Sequence, residues 1–507
     1  MDISEFRKHG KEVIDVIADY YEGLNQVPPM STAKPGYLYK LIPHEAPREP
    51  ESFEEIKSDI ETRIMPGITH WQSGNFFGWY SSNSSFPAIL GEMYSSMFSV
   101  VRFNWICSPA ATELETVVVD WLGKLIGLNK RFLSINKDGT EGVGGGVIHG
   151  SASEALVVSM IAARRQMIAH LTSQGASDEE AESMQHRFVA YVSDQTHSAG
   201  QKGGQIIGCK THVISTDANF RLTKDALETA IADDRNAGLV PFFVCGTFGT
   251  TNTAAIDDLS GIADVAEVEN IWFHVDAAYA GSALACPEFH PLAIGSERAD
   301  SFNINPHKWM LTNFDCSVLW VADSTHLVDA LRIDREYLPR VKGEKSFVKD
   351  YRDWELALGS KFRALKLWFV MRTYGVLGIQ RHIRMHISQA KWLEEQLLND
   401  GRFEIMAPTV FGLVVFRIKP QAIVGSSVAL EESEKSNDRV NSANVELVKR
   451  IQEDNRVFLV GTKVKGNDVV RAAIGTTYGT QENVERLVLV IKQLTTKVIG
   501  CAFINPE

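Results

Sequence analysis

A single lysine, Lys308, stands in Asn305-Pro306-His307-Lys308-Trp309, flanked by the apolar run Phe302-Asn303-Ile304 and by Trp309-Met310-Leu311. Apolar surroundings depress the pKa of an ammonium, which is how a lysine becomes a nucleophile toward a carbonyl carbon. Upstream, His274-Val275-Asp276-Ala277-Ala278-Tyr279-Ala280-Gly281 reads as a buried strand ending in an acid, Asp276. Ligands of open α/β sheets sit beyond the carboxyl ends of strands. An acid there, one short βα unit before a Schiff-base lysine, is the pair that pyridoxal phosphate requires: the lysine holds the cofactor and the acid keeps its pyridine nitrogen protonated. Ala277 and Ala278 are small enough to let a flat ring lie against the chain. Taken singly, Lys308 reads equally well as a surface lysine, and Asp276 as a helix cap or a buried hydrogen-bonded carboxylate.

Three further stretches bear on that pair. Gly142-Val143-Gly144-Gly145-Gly146-Val147-Ile148-His149-Gly150-Ser151-Ala152-Ser153-Glu154-Ala155 runs into a helix expected from Leu156 to His170. A glycine and serine turn at a helix N-terminus offers free N–H groups and the positive dipole end to a phosphate. Its spacing fits neither GxGxxG nor GxxxxGK[ST], which removes the dinucleotide and nucleoside-triphosphate readings. His197 follows a strand in Ser193-Asp194-Gln195-Thr196-His197, where it would stack on a pyridine ring. Thr247, in Gly246-Thr247-Phe248-Gly249, ends the next strand within reach of a ring hydroxyl. No HExxH or GxSxG occurs, and no metal site is expected.

The elements that must position these residues follow from the pattern of the chain. Apolar runs at Phe188 to Val192, Val240 to Thr247, Ile271 to Val275 and Cys316 to Val321 alternate with helical stretches at Thr223 to Asn236 and Leu259 to Glu269. That alternation predicts an α/β domain with a mostly parallel sheet, helices on both faces, over residues 85–380. Residues 1–84 read as an N-terminal helical segment: Phe6, Val13, Ile14, Ile17 and Tyr21 recur at helical spacing, and Ser52 with Glu55 forms a capping box. Such a segment cannot bury its apolar face alone and is expected to pack on a second copy of the chain. Residues 381–507 read as a small α+β domain with strands Thr409 to Ile418 and Val457 to Val460, a helix Ala443 to Glu453, and a polar surface loop over 425–441.

The 507 residues carry 63 acids against 51 bases, a net charge of −12, which argues against nucleic acid or an anionic membrane as partner. No apolar run approaches the ~18 residues a membrane span needs. The charged start Met1-Asp2-Ile3-Ser4-Glu5 does not suit a signal peptide. The cysteines at 107, 209, 245, 286, 316 and 501 are scattered, without a CxxC pair, as in a reduced, cytoplasmic protein.

With Ser108-Pro109-Ala110-Ala111-Thr112-Glu113-Leu114-Glu115, Gly150-Ser151-Ala152-Ser153-Glu154-Ala155, Ser193 to His197, His274 to Gly281 and Asn305 to Trp309 in that order, the chain resembles the group II pyridoxal phosphate-dependent amino-acid decarboxylases from about residue 5 to 495. Within that family it is most similar to the aromatic-L-amino-acid decarboxylases that act on tryptophan, tyrosine or DOPA. The resemblance implies a fold type I (aspartate-aminotransferase-like) α/β architecture and a homodimer with its active site at the interface. It implies that Lys308 carries the cofactor, Asp276 pairs with the ring nitrogen, Ala278 packs beneath the ring and His197 stacks above it. Ser151, Ala152, Ser153, Asn305 and His307 would hold the phosphate. The family's proton donor, a loop tyrosine, matches Tyr337 in Asp334-Arg335-Glu336-Tyr337-Leu338-Pro339, followed by the charged stretch Arg340 to Asp350.

The family's substrate pocket maps onto Trp79, Tyr80, Val101, Phe103 and Gly359, with Trp71 read as core. Gly359 leaves room for a large ring and leans toward indole, hence toward tryptophan over tyrosine, phenylalanine or DOPA. Trp309 and the aromatic lining also favour a flat side chain over glutamate. Relatives that make aromatic aldehydes by oxidative decarboxylation carry phenylalanine at the Tyr337 position or lose the histidine. Retention of Tyr337 and His197 favours the amine-forming decarboxylase over an aldehyde synthase, and intact Lys308 and Asp276 disfavour a catalytically silent binding protein. Three departures stand out: Gly74 and Ser81 replace usual prolines, and Arg102 replaces a usual glycine. A cation between Val101 and Phe103 is expected either to reshape the pocket or to pair with an acid across the dimer.

Overall fold

A computed structural model describes residues 1–333, 349–424 and 434–504. The chain forms two compact units, one of Ser82–Ser388 with Ala407–Leu413, the other of Met1–Ser81, Gln389–Met406 and Val414–Glu507.

The first unit is built on seven strands: β1 (Gly145–His149), β2 (Phe188–Ser193), β3 (Lys210–Ile214), β4 (Val240–Thr247), β5 (Trp272–Asp276), β6 (Ser301–Ile304) and β7 (Ser317–Val321). Their order in the sheet is β1-β7-β6-β5-β4-β2-β3. The pairs β2–β3, β2–β4, β4–β5 and β5–β6 are parallel, and β7 runs antiparallel to both β6 and β1. It follows that β1, β2, β4, β5 and β6 all point the same way, and their carboxyl ends share one edge. Every residue of β1, β2, β5, β6 and β7 is buried, as expected of strands covered on both faces. The helix Ala152–Ser173 packs along β4 to β7, while Lys224–Asn236 and Leu259–Glu269 pack on β4. Each fully buried Val, Leu, Ile or Phe here contributes about 1.5–3 kcal/mol relative to exposure. This is the mostly parallel α/β sheet that the alternating pattern predicts.

β1 departs from the sequence reading, which took the glycine run as a turn. Gly145 and Gly146 are strand residues pairing with Val321 and Trp320. A Cβ at Gly146 would fall 2.4 Å from Val119 and 2.7 Å from Trp320, so close packing rather than flexibility explains that glycine.

In the second unit, β8 (Phe403–Ile405), β9 (Leu413–Ile418), β10 (Val460–Val464) and β11 (Asn467–Ala473) form a sheet ordered β10-β11-β9-β8. The helices Glu434–Asp454 and Gln481–Ile504 bury Leu447, Ile451, Leu487 and Ile491 in a core with Val414, Phe416 and Val470. Both N-terminal helix starts are capped, Ile3–Gly23 by an Asp2–Glu5 box and Phe53–Asp59 by the expected Ser52–Glu55 box.

Three boundaries differ from expectation. The strand expected at Val457 starts at Val460; before it, Phe458 bonds the backbone of 75–77 instead, its N–H donating to Asn75 O (2.9 Å) and its carbonyl accepting from Phe77 N (2.7 Å). The strand expected from Thr409 starts at Leu413. Residues 434–441, expected in a polar loop, open the helix Glu434–Asp454, whose outer face is polar. The rest of that stretch, 425–433, lies outside the described residues, as does Tyr337. Among the described residues no helix is long and apolar enough to cross a membrane.

Candidate active site

The shared strand edge is where the chemistry gathers. Thr247 pairs in register with Asp276, and Asp276 with Asn303, so the ends of β4, β5 and β6 are level. The ladder continues past the strands: Ala277 N donates to Asn303 O (3.0 Å) and Asn305 N to Ala278 O (3.1 Å). Asp276 is therefore held at a fixed height, and its Oδ1 accepts from Ala278 N at 2.9 Å. Lys308 sits in the one-turn helix Pro306–Trp309, started by a proline at its first position, and its N–H donates to Asn305 O (2.9 Å). His197 lies just beyond β2, where its Nδ1 accepts from Ala199 N (3.1 Å). Desolvation, then the Lys308 ammonium, holds the His197 imidazole below its usual pKa, with Asp276 acting the other way. Three sequence-distant groups, His197, Asp276 and Lys308, are thus within electrostatic reach of one another.

Beneath them the protein is neutral. His274 is fully buried between Ser301 Oγ (2.7 Å) and Asn303 Oδ1 (2.9 Å), and burial lowers its pKa to about 4. Asp257 accepts from the N–H of Thr247 (2.7 Å) and of Leu222 (2.7 Å), and burial raises its pKa to about 7. That bond sets the end of β4, whose Thr247 Oγ1 is buried without a hydrogen-bond partner among the described residues. Neither His274 nor Asp257 was singled out from sequence. His274 lay inside a quoted motif, but nothing in the local pattern near Asp257 signals a role. Trp309 does not line this space as expected. It is fully buried, stacked on Tyr279 at 5.0 Å, and donates through Nε1 to His386 Nδ1 (2.9 Å).

At the β1 end of the same edge, Ser151 caps the helix Ala152–Ser173, its Oγ accepting from Glu154 N (3.2 Å). The first turn of that helix leaves the N–H groups of Ala152 and Ser153 without intrahelical partners, as every helix start does. β7 lies between β1 and β6, and its first residue, Ser317, faces His149 in register and donates to Asn305 Oδ1 (2.7 Å). Next to it, His307 Nδ1 accepts from Cys316 N (2.9 Å), and burial, then Lys308, lowers its pKa to about 3. A helix N-terminus, an ammonium, a carboxylate and an unpartnered buried hydroxyl match the donor pattern that pyridoxal phosphate needs.

The residues read as the substrate pocket divide between the two units. Val101, Phe103 and Gly359 belong to the first, where a Cβ at Gly359 would lie 2.5 Å from Val101 Cγ1. Trp79 and Tyr80 belong to the second, where Trp79 stacks on Trp71 at 5.1 Å and Arg471 lies 5.2 Å over the Tyr80 ring. Trp71, read as core, is 37% exposed. Gly74 has a local reason: its N–H donates to Asn25 Oδ1 (2.8 Å), a bond proline cannot make, and a Cβ would strike Asn483. Arg102 pairs within its own chain, with Glu115 and Glu355, so a partner across a dimer is not what holds it.

Residues 35–419 match the pyridoxal-dependent decarboxylase conserved domain. The chain is 43% identical over 500 residues to aromatic-L-amino-acid decarboxylase of Cavia porcellus, covering 98% of this chain and 99% of that one. It is equally, 43%, identical over 498 residues to phenylacetaldehyde synthase of Arabidopsis thaliana, covering 97% and 96%. Its fold is similar to the crystal structure of Oryza sativa TDC with PLP and tryptamine, with a TM-score of 0.91 at 36% identity over 98% of this chain and 99% of that one. A match of this extent means that the chain belongs to the pyridoxal-dependent decarboxylase family and is a pyridoxal phosphate-dependent carboxy-lyase.

Proposed function

We propose that this enzyme decarboxylates aromatic L-amino acids, tryptophan foremost and tyrosine, phenylalanine and DOPA beside it, to arylalkylamines and CO2. The observation that carries the reading is the convergence of Lys308, Asp276 and His197 on one strand edge. Bound pyridoxal phosphate supplies the electron sink that lets the Cα–carboxylate bond break. Lys308 would hold the cofactor through its aldehyde carbon. Asp276, fixed by Ala278 N, would keep a proton on the ring nitrogen, and Ala278 and His197 would pack against the ring. Ser151, Ala152, Ser153, Asn305 and His307 would hold the phosphate, and Thr247 Oγ1 would bond the ring hydroxyl. Tyr337 delivers a proton to the substrate Cα after CO2 leaves.

Val101, Phe103 and Gly359 take the aromatic side chain, and the bare Gly359 beside Val101 suits a wide flat ring. The enzyme acts in the cytoplasm as a homodimer. The support for a second copy is the apolar residues the chain leaves open, among them Ile3 (78% exposed), Phe6 (69%) and Met97 (63%).

A second reading, aldehyde formation, draws on the equal likeness to phenylacetaldehyde synthase. Product analysis separates the two: tryptophan, tyrosine, phenylalanine, DOPA, histidine and glutamate are each incubated with the loaded enzyme, and amine, aldehyde and peroxide are scored together. Tryptamine without peroxide is expected, and aldehyde with peroxide would overturn the amine reading. Tyr337→Phe is expected to divert product from amine to aldehyde, and unchanged amine output would remove Tyr337 from the mechanism.

A further inference from the structure

Arg102 is buried to its tip, 1% exposed, although Val101 beside it is 53% exposed. The backbone here is laced on both sides: Arg102 N donates to Ser360 O (2.9 Å), and Phe103 O accepts from Arg352 N (3.1 Å). The guanidinium doubles the lacing. Its Nη2 donates to Ser360 Oγ (2.8 Å) and to Glu355, its Nε lies 2.9 Å from Glu115 Oε2, and its plane sits 4.4 Å over the Tyr351 ring. Only a planar fork with several donors can meet all of these at once. The far ends are anchored in turn: Glu115 Oε1 accepts from Ile148 N on β1 (2.9 Å), and Tyr351 OH meets Thr116 Oγ1 (2.9 Å). Arg363 places a second cation 3.8 Å from Glu355 Oε2.

Across from this clamp lies Gly359. Its backbone is not left-handed, so it does not demand glycine on conformational grounds. What forbids a side chain is Val101, whose Cγ1 stands 2.5 Å from where a Cβ would be. Arg102 ties the segment that carries Val101 to Ser360, the residue after Gly359.

We propose that Arg102 is a positioning residue that holds Val101 against Gly359 and so fixes the shape of the wall that the side chain of the amino-acid substrate meets. This rests on the assignment of Val101 and Gly359 to the aromatic side chain. A contact tied on both sides in this way does not open on demand.

The test is a double-mutant cycle on the purified pyridoxal phosphate-loaded enzyme with Gly359→Ser, Arg102→Gly and the pair. It is read as kcat and KM for tryptophan and phenylalanine, the visible absorbance of the bound cofactor, and Tm. In the wild-type background Gly359→Ser lowers kcat/KM for tryptophan about tenfold, and in the Arg102→Gly background less than about threefold, a non-additivity typical of residues coupled through a shared backbone shift. Arg102→Gly alone raises KM with kcat and cofactor absorbance little changed, and Arg102→Lys, which keeps the charge and loses the fork, behaves the same way. Additive effects of Gly359→Ser in the two backgrounds overturn the proposal, as does a parallel fall of kcat and cofactor absorbance in Arg102→Gly. The Tm cycle does not depend on the substrate: Gly359→Ser lowers Tm less once Arg102 is gone. If the wild type turns over no aromatic amino acid, the substrate reading fails by itself and the Tm cycle still decides on the clamp. Should Arg102→Gly fail to fold, Ser360→Ala removes one hydroxyl from the clamp and shows the same coupling in smaller measure; its absence there overturns the proposal.

Discussion

Two clusters of charge in the larger unit are built from the same kinds of side chain and end in opposite conditions. Around Arg102, cations and carboxylates consume one another: Glu115, Glu355 and Arg102 are each buried, and Arg363 and Asp315 close the rim at 3.1 Å. At the strand edge, His197, Asp276 and Lys308 arrive from the ends of separate strands, each held in place by backbone hydrogen bonds. Lys308 is only half-buried and His197 is exposed. The first arrangement is a lattice that fixes segments in space. The second gathers charged groups at the carboxyl edge of a parallel sheet, where ligands of α/β folds sit.

The sharpest way to break that contrast is Lys308→Ala. It is expected to abolish the visible absorbance of the bound cofactor and to lower decarboxylation by at least about 10³-fold, with Tm of the cofactor-free protein unchanged. Persistence of the absorbance would show that another amine holds the cofactor. The matching experiment in the lattice is Glu355→Ala, which leaves Arg102 with one carboxylate fewer in a buried place. Removing one partner of a buried pair costs about 3–5 kcal/mol of folding stability, readable in denaturant unfolding. If Glu355→Ala instead left stability unchanged and destroyed the cofactor absorbance, the two clusters would not be separable as drawn here.

How much of this was legible in the residues follows the same divide. The strand edge was readable because each of its groups sits next to a local signal: Asp276 after an apolar run, Lys308 beside a proline and a tryptophan, Ser151 before a long helix. β2, β4 and the helix Leu259–Glu269 fall where the apolar periodicity puts them. β1 was hidden because its Gly146 is required by the Val119 and Trp320 side chains, which come from elsewhere in the chain. The lattice was hidden for the same reason. Arg102 announced itself as an odd cation, yet its partner Glu355 lies 253 positions away, and no local pattern connects them. Trp309 shows the converse: an aromatic next to the reactive lysine invited a role in the pocket, but tertiary packing against Tyr279 and His386 claims it.

Acid separates the clusters in another way, through the neutral floor under Asp276. Burial holds the His274 imidazole at about 4, below its unfolded value of about 6.5. Between those values the unfolded chain binds the proton and the folded chain does not, so this contribution is whole above about 6.5 and is lost as pH falls toward 4. Its size is on the order of 3 kcal/mol. The buried carboxyls of Asp257 and Glu115, raised to about 7, act in the opposite sense over that range, so the absolute profile mixes both. A difference isolates the histidine: between pH 7 and pH 4 the wild type is expected to lose more stability than His274→Gln does. Equal losses would mean that burial does not lower the His274 pKa in the folded chain.

The smallest effect expected sets the scale for the rest. Arg298 makes an ion cluster as good in geometry as that of Arg102: Nε and Nη2 meet the two oxygens of Glu267 at 2.8 and 2.6 Å, and Nη1 meets Asp264 at 2.7 Å. Its acids lie open to water, Glu267 at 60% and Asp264 at 47% exposure. Water and salt already solvate such charges, so forming the pair gains little and breaking it strands nothing. Arg298→Ala should therefore shift Tm by no more than about 1–2 °C, and by less still in high salt. Glu355→Ala, which breaks an arginine–carboxylate bond of the same kind, should shift it several times as far, with little change in salt. If the two variants fell together, burial would not be what distinguishes the lattice, and the rigidity ascribed to Arg102 would need another source.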